Sequence, residues 1–166
     1  MIFHSAWKER KRAMKTAVYH SPFGDMELIY EEDAVTALKM ADKEIAGEAP
    51  EGLALKAFRQ LDEYFQGKRK TFDIPLRTHG TVFQEKVWAA LRAIPYGEVR
   101  SYKDVAEAIG HPKAYRAVGM ANNANPVFII VPCHRVIGAD GSLTGYGGGL
   151  PMKKALLGLE KNHRIS

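Results

Sequence analysis

Apolar and polar residues alternate in short segments near the start of the chain and predict strands there. Residues 16–19, 26–30 and 34–40 are three such segments, and turn-forming or acidic residues separate them. This arrangement is typical of an antiparallel β-meander. A further alternating stretch, at Phe72, Ile74 and Leu76, indicates one more strand.

Between the meander and that stretch the apolar spacing becomes helical. Leu53, Ala57 and Leu61 lie on one face of a helix predicted over residues 53–66, and Gly67 follows where helices commonly end. The sequence therefore predicts a small α/β supporting domain at residues 15–77, in which no residue suggests catalysis. Residues 77–80 are predicted to link it to the rest of the chain.

Helical spacing dominates the second half. Thr81 and Gln84 form a capping box, which predicts the start of a helix whose apolar face ends near residue 94. Ser101 and Asp104 predict the start of a second helix in the same way, and Gly110 ends it.

A third helix is predicted over residues 113–122, with Pro112 at its first position. Two short helices around a Gly-His-Pro turn form the outline of a helix-turn-helix. The inner positions of the third helix are mostly Ala and Gly, with Arg116 as the long cation in its middle. Two interpretations remain open: a helix thin enough for a minor groove about 6 Å wide, or an ordinary packing helix with Arg116 in solvent.

The apolar run at residues 127–131 predicts a buried strand that leads to Cys133 and His134. A lone thiol beside an imidazole fits a reactive site, although a single cysteine is also commonly a small core residue. Downstream, Pro151 is predicted to start the last helix, and Glu160 lies toward its apolar side. A carboxylate drawn toward the core needs a partner. His134 is the candidate, and a solvent-exposed helix end is the alternative.

Composition narrows the possible functions. The 166 residues carry a formal charge of +5, and residues 80–166 hold the whole excess, with 11 basic and 6 acidic side chains. A basic half favours a polyanionic partner. No apolar run approaches the roughly 20 residues of a membrane span, and one cysteine forms no internal disulfide, which suits a reducing cytoplasm. Residues 1–14 are interpreted as a basic tail or a non-native extension.

At this point several motifs resemble one family in the same order and spacing. Pro132-Cys133-His134-Arg135-Val136 is similar to the active-site signature of the O6-alkylguanine-DNA alkyltransferases, which repair DNA by a suicide reaction. The resemblance covers about residues 81–161. Further matches are the segments 97–102, 114–119 and 146–150, with Asn125-Pro126, Lys153 and Glu160.

The resemblance implies a role for each matching residue near the thiol. Cys133 corresponds to the alkyl acceptor, His134 to the base that takes its proton through a water, and Glu160 to the carboxylate that orients His134. Asn125 corresponds to the residue that braces the turn before the active site. The carbonyls of Cys133 and Val136 correspond to acceptors for the guanine amine.

The resemblance also implies the residues that bind DNA and the flipped base. Tyr102 corresponds to the phenol that bonds the guanine, and Arg116 to the finger that enters the vacated base stack. Some members carry Ser where this chain has Gly147; the backbone N–H that donates to O6 is kept, and a larger pocket is implied. Ser101, Tyr146 and Lys153 belong to the same binding surface by position.

The implied fold is an α/β N-terminal domain, with a small antiparallel sheet plus a helix, and a mainly α C-terminal domain at residues 81–166 with a winged helix-turn-helix-like motif. The implied partner is double-stranded DNA carrying O6-alkylguanine, bound through the minor groove by a cytoplasmic monomer, with O4-alkylthymine as a further candidate substrate. No metal or organic cofactor is expected, and no membrane association. The residues alone leave two alternatives: a helix-turn-helix regulator with an inert Cys133, and a cysteine hydrolase.

Overall fold

The computed structural model describes residues 14–164, so the prediction for the N-terminal extension falls almost entirely outside the described residues. The first element is a three-stranded antiparallel sheet in the order β1 (Lys15–Ser21), β2 (Gly24–Tyr30), β3 (Val35–Met40). Met26, Leu28 and Tyr30 alternate toward the core along β2. The predicted meander is therefore confirmed.

Helix α1 (Leu53–Phe65) covers this sheet. Its buried stripe is Ala54, Ala57, Leu61 and Tyr64, at the spacing of one helix face. Gly67 follows with φ of 75°, a left-handed conformation that favours glycine after a helix end. The sheet and α1 form the expected small α/β domain.

The strand predicted at Phe72, Ile74 and Leu76 is wrong. In the structure, which describes this segment completely, only Leu76 makes a bridge, to Val35. The Val35 nitrogen donates to the Pro75 carbonyl at 2.9 Å, and the Arg77 nitrogen donates to the Val35 carbonyl at 3.0 Å. Pro75 has no N–H with which to extend this bridge into a ladder.

The second half contains α2 (Val82–Arg92), α3 (Tyr102–Ala108), α4 (Tyr115–Asn123) and α5 (Leu150–His163). Both predicted capping boxes are present, at Thr81 with Gln84 and at Ser101 with Asp104. The helix predicted from residue 113 starts at Tyr115 instead, because residues 111–114 form a turn in which the Ala114 nitrogen donates to the His111 carbonyl.

The buried strand predicted at residues 127–131 is also wrong, although the run is buried as expected. Hydrogen bonds from Ile130 to Phe128 and from Val131 to Val127 fold it into tight turns, and Ile129 has φ of 72°. A β-branched residue in that conformation is strained. The turns lead into a 3-10 helix (Cys133–Arg135) and then strand β5 (Val136–Ile137), which pairs in parallel with β4 (Arg100–Ser101).

One continuous core joins the two halves. The Leu38 nitrogen in β3 donates to the Pro126 carbonyl at 2.9 Å, and the Phe128 nitrogen donates back to the Leu38 carbonyl at 3.1 Å. The N-terminal sheet is thereby fastened to the chain just ahead of Cys133. Within residues 14–164 no helix has the length and apolar character that crossing a bilayer requires.

Candidate active site

The turns before Cys133 are held by one amide side chain. Asn125 donates from Nδ2 to the Val131 carbonyl at 2.8 Å and accepts from the Val127 nitrogen at 3.0 Å. These two bonds tie both ends of the 127–131 loop to Asn125. The position of Cys133 therefore does not depend on a regular strand. The bracing contact expected of Asn125 is present.

Cys133 is a free cysteine and is 5% exposed. Burial raises the pKa of its thiol, while Asn125 and the charge of Lys153 act in the opposite direction. The thiol faces a cavity of about 210 Å³. That cavity is lined on the C-terminal side by Asn122, Asn123, Asn125, Phe128, Cys133, Gly145, Tyr146 and Gly147, and on the N-terminal side by Leu38, Lys39 and Met40.

Glu160 is completely buried and bonds to His134. The His134 Nε2 to Glu160 Oε2 distance is 2.6 Å, so the predicted pair is present and the exposed alternative for Glu160 is excluded. Arg135 donates to both carboxylate oxygens, at 2.8 and 3.1 Å. Two more donors reach the same carboxylate: the Gly97 nitrogen at 3.2 Å and the Tyr64 hydroxyl at 2.6 Å.

The charges in this network follow from its donors. Burial alone would raise the pKa of Glu160, but hydrogen bonds from His134 and Arg135, with the charge of Arg135 and of His134 once acid protonates it, lower it to about 2. Burial also lowers the pKa of His134, more than Glu160 raises it. We therefore assign an ionised Glu160, stabilised by the Arg135 cation, and a neutral His134 that donates from Nε2–H.

This assignment leaves Nδ1 of His134 as a lone-pair acceptor. Nδ1 is buried and has no hydrogen-bond partner within residues 14–164. A buried acceptor without a partner is uncommon and calls for a water or a substrate group. His134 follows Cys133 directly in the same 3-10 helix, and its Nδ1 is free to accept a proton.

A second set of contacts meets at the Thr144 carbonyl. The buried Lys153 donates to it from Nζ at 2.9 Å, and the Tyr102 hydroxyl donates at 3.1 Å. The glycine-rich loop that follows turns at Gly145, with φ of 52°, and at Gly149, with φ of 94°. Tyr102 and Lys153, which lie in different helices, are thus tied to the loop that forms one wall of the cavity.

Arg116 and Ser101 lie outside the cavity. Arg116 is on the exposed side of α4, where Tyr115 is 47% and Met120 is 75% exposed. Ser101 caps α3, and its pairing with Ile137 connects the helix-turn-helix to β5. Neighbouring Val136 is completely buried. The helix-turn-helix and the cavity are therefore adjacent surfaces joined by the short β4–β5 sheet.

Sequence reasoning missed two groups of residues. Tyr64 lies within the helix predicted over residues 53–66 and belongs to no motif, yet its hydroxyl reaches Glu160 across 96 positions of sequence. Lys39 and Met40 were read as strand residues and line the cavity. Neither has a local signal, because the contact partners lie in the other half of the chain.

Comparison with known proteins places both halves in one family. Residues 82–162 match the model of the 6-O-methylguanine DNA methyltransferase DNA-binding domain, and residues 14–78 match that of the ribonuclease-like domain of the same proteins. A methylated-DNA–protein-cysteine methyltransferase from Methanosarcina acetivorans is 48% identical over 153 residues, which cover 89% of this chain and 98% of the relative. One from Mycolicibacterium paratuberculosis is 50% identical over 149 residues, 86% of this chain and 90% of the relative.

Solved structures of proteins from the same family superpose on this chain. The Mycobacterium tuberculosis O6-methylguanine methyltransferase superposes with a TM-score of 0.83 at 46% identity, covering 90% of this chain and 94% of the other. A crystal structure of Mycobacterium tuberculosis OGT in complex with DNA superposes with a TM-score of 0.81 at 49% identity, covering 88% and 92%. The predicted two-domain fold is confirmed by these likenesses.

Proposed function

The chain belongs to the 6-O-methylguanine DNA methyltransferase family, and we propose that Cys133 is the residue on which the alkyl group ends. Its activity is DNA repair by transfer of an alkyl group from methylated DNA to a cysteine of the protein. One observation carries the assignment of the acceptor. Cys133 is the only cysteine in the sequence, and it lines a cavity beside a histidine whose Nδ1 is unpartnered.

The reaction balances with the groups of this site. The Cys133 sulfur forms a bond to the alkyl carbon, and the carbon–O6 bond breaks with its electron pair moving to the guanine. His134 takes the thiol proton through Nδ1, and this one proton is passed on to the departing guanine, so that His134 ends the reaction neutral. The product is a thioether, which ordinary thiol exchange does not reverse, so each molecule repairs one lesion.

The buried network supports His134 in this role. An activated nucleophile, a base and an orienting acid form the usual arrangement for such a step. Here Glu160 holds Nε2–H and so directs the lone pair of Nδ1 away from itself. The charge of Lys153 favours the thiolate against the effect of burial. Asn125 contributes by fixing the turn that carries the thiol.

The partner is DNA, and the lesion must leave the stack to reach a thiol that is 5% exposed. We propose binding through the minor groove by α4, with Arg116 filling the space of the extruded base. Ala117 beside Arg116 adds little bulk at the centre of the exposed side of α4, where Tyr115 and Met120 are the larger side chains. Ser101 sits at the start of α3 on the same surface.

The extruded guanine is proposed to lie in the cavity beside Cys133. The carbonyls of Cys133 and Val136 receive its exocyclic amine, and the Gly147 nitrogen donates to O6. Tyr146 lines this cavity. Tyr102, which belongs to the helix-turn-helix, donates from its hydroxyl to the Thr144 carbonyl in the loop before Tyr146. A Cβ at Gly147 would meet no atom within 4 Å, which supports room for alkyl groups larger than methyl.

The two halves of the chain divide the work in this proposal. Residues 81–166 bind DNA and react, and residues 15–77 support them, a division that the limits of the two family models favour. The protein acts as a monomer in the cytoplasm, where a reducing environment keeps its single thiol free. Sedimentation on and off DNA, and fractionation of cells, test these two points.

Transfer of label from a duplex containing radiolabelled O6-methylguanine tests the assignment. Wild-type protein is expected to take up one methyl group per molecule, and Cys133→Ser is expected to take up none while still binding the duplex. Label on Cys133→Ser would overturn the assignment of the acceptor. Turnover of a small ester would instead indicate a cysteine hydrolase, and binding without transfer would indicate a regulator.

A further inference from the structure

Tyr64 connects the N-terminal domain to the reactive network. It lies in α1, is completely buried, and its hydroxyl donates to Oε2 of Glu160 at 2.6 Å. His134 uses the same oxygen, also at 2.6 Å. Two short hydrogen bonds from different domains therefore converge on one carboxylate oxygen.

The remaining contacts show why this oxygen needs a second holder. Arg135 binds Glu160 mainly through Nε to Oε1 at 2.8 Å, and the Gly97 nitrogen also binds Oε1. On Oε2 Arg135 makes only its longer bond, at 3.1 Å. Among the described residues, Tyr64 is thus the one short-range donor, apart from His134 itself, that fixes the position of Oε2.

We propose that Tyr64 is a positioning residue for alkyl transfer, because its hydroxyl holds the Glu160 carboxylate in the orientation that occupies Nε2 of His134 and leaves Nδ1 as the proton acceptor. This inference rests on the proposed role of Cys133 and His134. It gives the N-terminal domain a part in the reaction beyond support. Tyr64 contacts neither the thiol nor the cavity wall, so it acts only through Glu160.

Tyr64 also limits how far the negative charge of Glu160 stabilises the protonated form of His134. A donor on Oε2 spreads the carboxylate charge, so its removal leaves more of that charge facing Nε2 and favours the imidazolium form. The protonated ring cannot accept the thiol proton. Within residues 14–164, the titratable or charged groups that act on this pair are Tyr64, Tyr96, Arg135, Tyr146 and Lys153.

Tyr64→Phe tests the proposal, with the transfer rate measured from pH 5 to 9 under single-turnover conditions with the labelled duplex. We expect the rate at neutral pH to fall about tenfold, the size of a lost hydrogen bond to a charged group. We also expect the acidic limb of the pH–rate profile to move to higher pH, with duplex affinity unchanged.

Tyr30→Phe is the matched control. Tyr30 is a buried tyrosine of the same domain, and its hydroxyl has no hydrogen-bond partner within the described part of the chain. The same loss of a hydroxyl there is expected to leave rate and profile unchanged. Wild-type protein in the same assay separates the two proposals, since its failure to transfer would refute the proposed function itself.

A variant with 3,5-difluorotyrosine at position 64 is the second test. If Tyr64→Phe does not fold, the pH–rate profile of this variant tests the proposal by itself. Its more acidic hydroxyl is a stronger donor, so the acidic limb is expected to move to lower pH. An unchanged pH profile in either variant, whatever happens to thermal stability, would make Tyr64 a core residue only and overturn the proposal.

Discussion

At the scale of single residues, Cys133 combines burial with the task of a nucleophile. Burial raises the pKa of its thiol, and Lys153 and Asn125 counter that only in part. The free protein therefore holds mostly thiol at neutral pH. Since the thiolate is the nucleophile, the proposed transfer needs a base that removes the thiol proton, and His134 is the base proposed above.

Alkylation of the free protein by iodoacetamide measures this directly, because only one cysteine reacts. The rate is expected to be low at neutral pH and still rising at about pH 9, beyond the range of a free thiol. Lys153→Met removes a charge that lowers the pKa of Cys133, so it should slow alkylation further. Lys154→Met, at an exposed neighbouring position, is the control. Equal rates for both variants would contradict the role of Lys153.

Glu160 links the active site to acid stability. Its pKa of about 2 in the folded protein lies below the ordinary value of about 4.3. A depressed carboxyl pKa contributes stability that is complete above about pH 5 and is lost as the pH falls toward 2. The contribution is about 3 kcal/mol for a shift of this size.

Urea unfolding at pH 7, 5 and 3 tests this contribution. Glu160→Gln should be less stable at pH 7 by about 3–5 kcal/mol, because Arg135 stays buried without its counterion. It should also lose less stability than the wild type between pH 5 and 3. Glu98→Gln, which removes an exposed carboxylate beside Arg100, should follow the wild type. A wild-type acid slope in Glu160→Gln would mean that another group controls acid unfolding.

At the scale of elements, α4 separates DNA binding from chemistry. Val118 and Ala121 face the core, and the Trp88 indole in α2 donates to the Ala121 carbonyl at 2.8 Å. The opposite side of α4 presents Arg116 to solvent. The core side of the helix is thus fixed, and Arg116 is exposed on the other side for its proposed entry into DNA.

Arg116→Ala is expected to slow transfer from duplex by at least about tenfold and transfer from single-stranded DNA much less, since a single strand has no stack to fill. Arg59→Ala removes an equal charge from the exposed side of α1 and controls for net charge. Transfer rates on the two substrates, measured at one salt concentration, provide the test. Equal slowing on both would leave Arg116 as a phosphate contact.

At the scale of the whole molecule, the two domains share one core and a seam, by which we mean the hydrogen bonds that cross between them. Leu38 exchanges backbone hydrogen bonds with the segment before Cys133, and Tyr64 bonds Glu160. Neither contact survives if the domains part. The seam therefore makes the active site depend on a domain that the sequence suggested was only a support.

One cooperative unfolding transition is expected for the full chain. Leu38→Ala should destabilise it by about 2–5 kcal/mol, the cost of a buried leucine truncation. Hydrogen exchange should show loss of protection in β2 and α4 together. Leu55→Ala, at a half-exposed position of α1, should have a small effect. Loss of protection in the N-terminal domain alone would show that the two domains unfold independently.

The sequence by itself determined the elements whose causes are local, and through its motifs the family. The boxes at Thr81 and Ser101 start their helices because each cap bonds to backbone within three positions. The meander followed from alternation, and Cys133, His134 and Glu160 were found through their motifs and an inward position on a helix. These signals lie within a few residues of the feature they specify.

Only the tertiary structure decided how these parts meet. The apolar run at 127–131 specified burial but not backbone conformation, which depends on the brace from Asn125 and the seam with Leu38. The carboxylate of Glu160 gathers donors from 25, 26 and 96 positions away. Such contacts form because packing removes water from all of them at once, and no local pattern records which distant donor will be there.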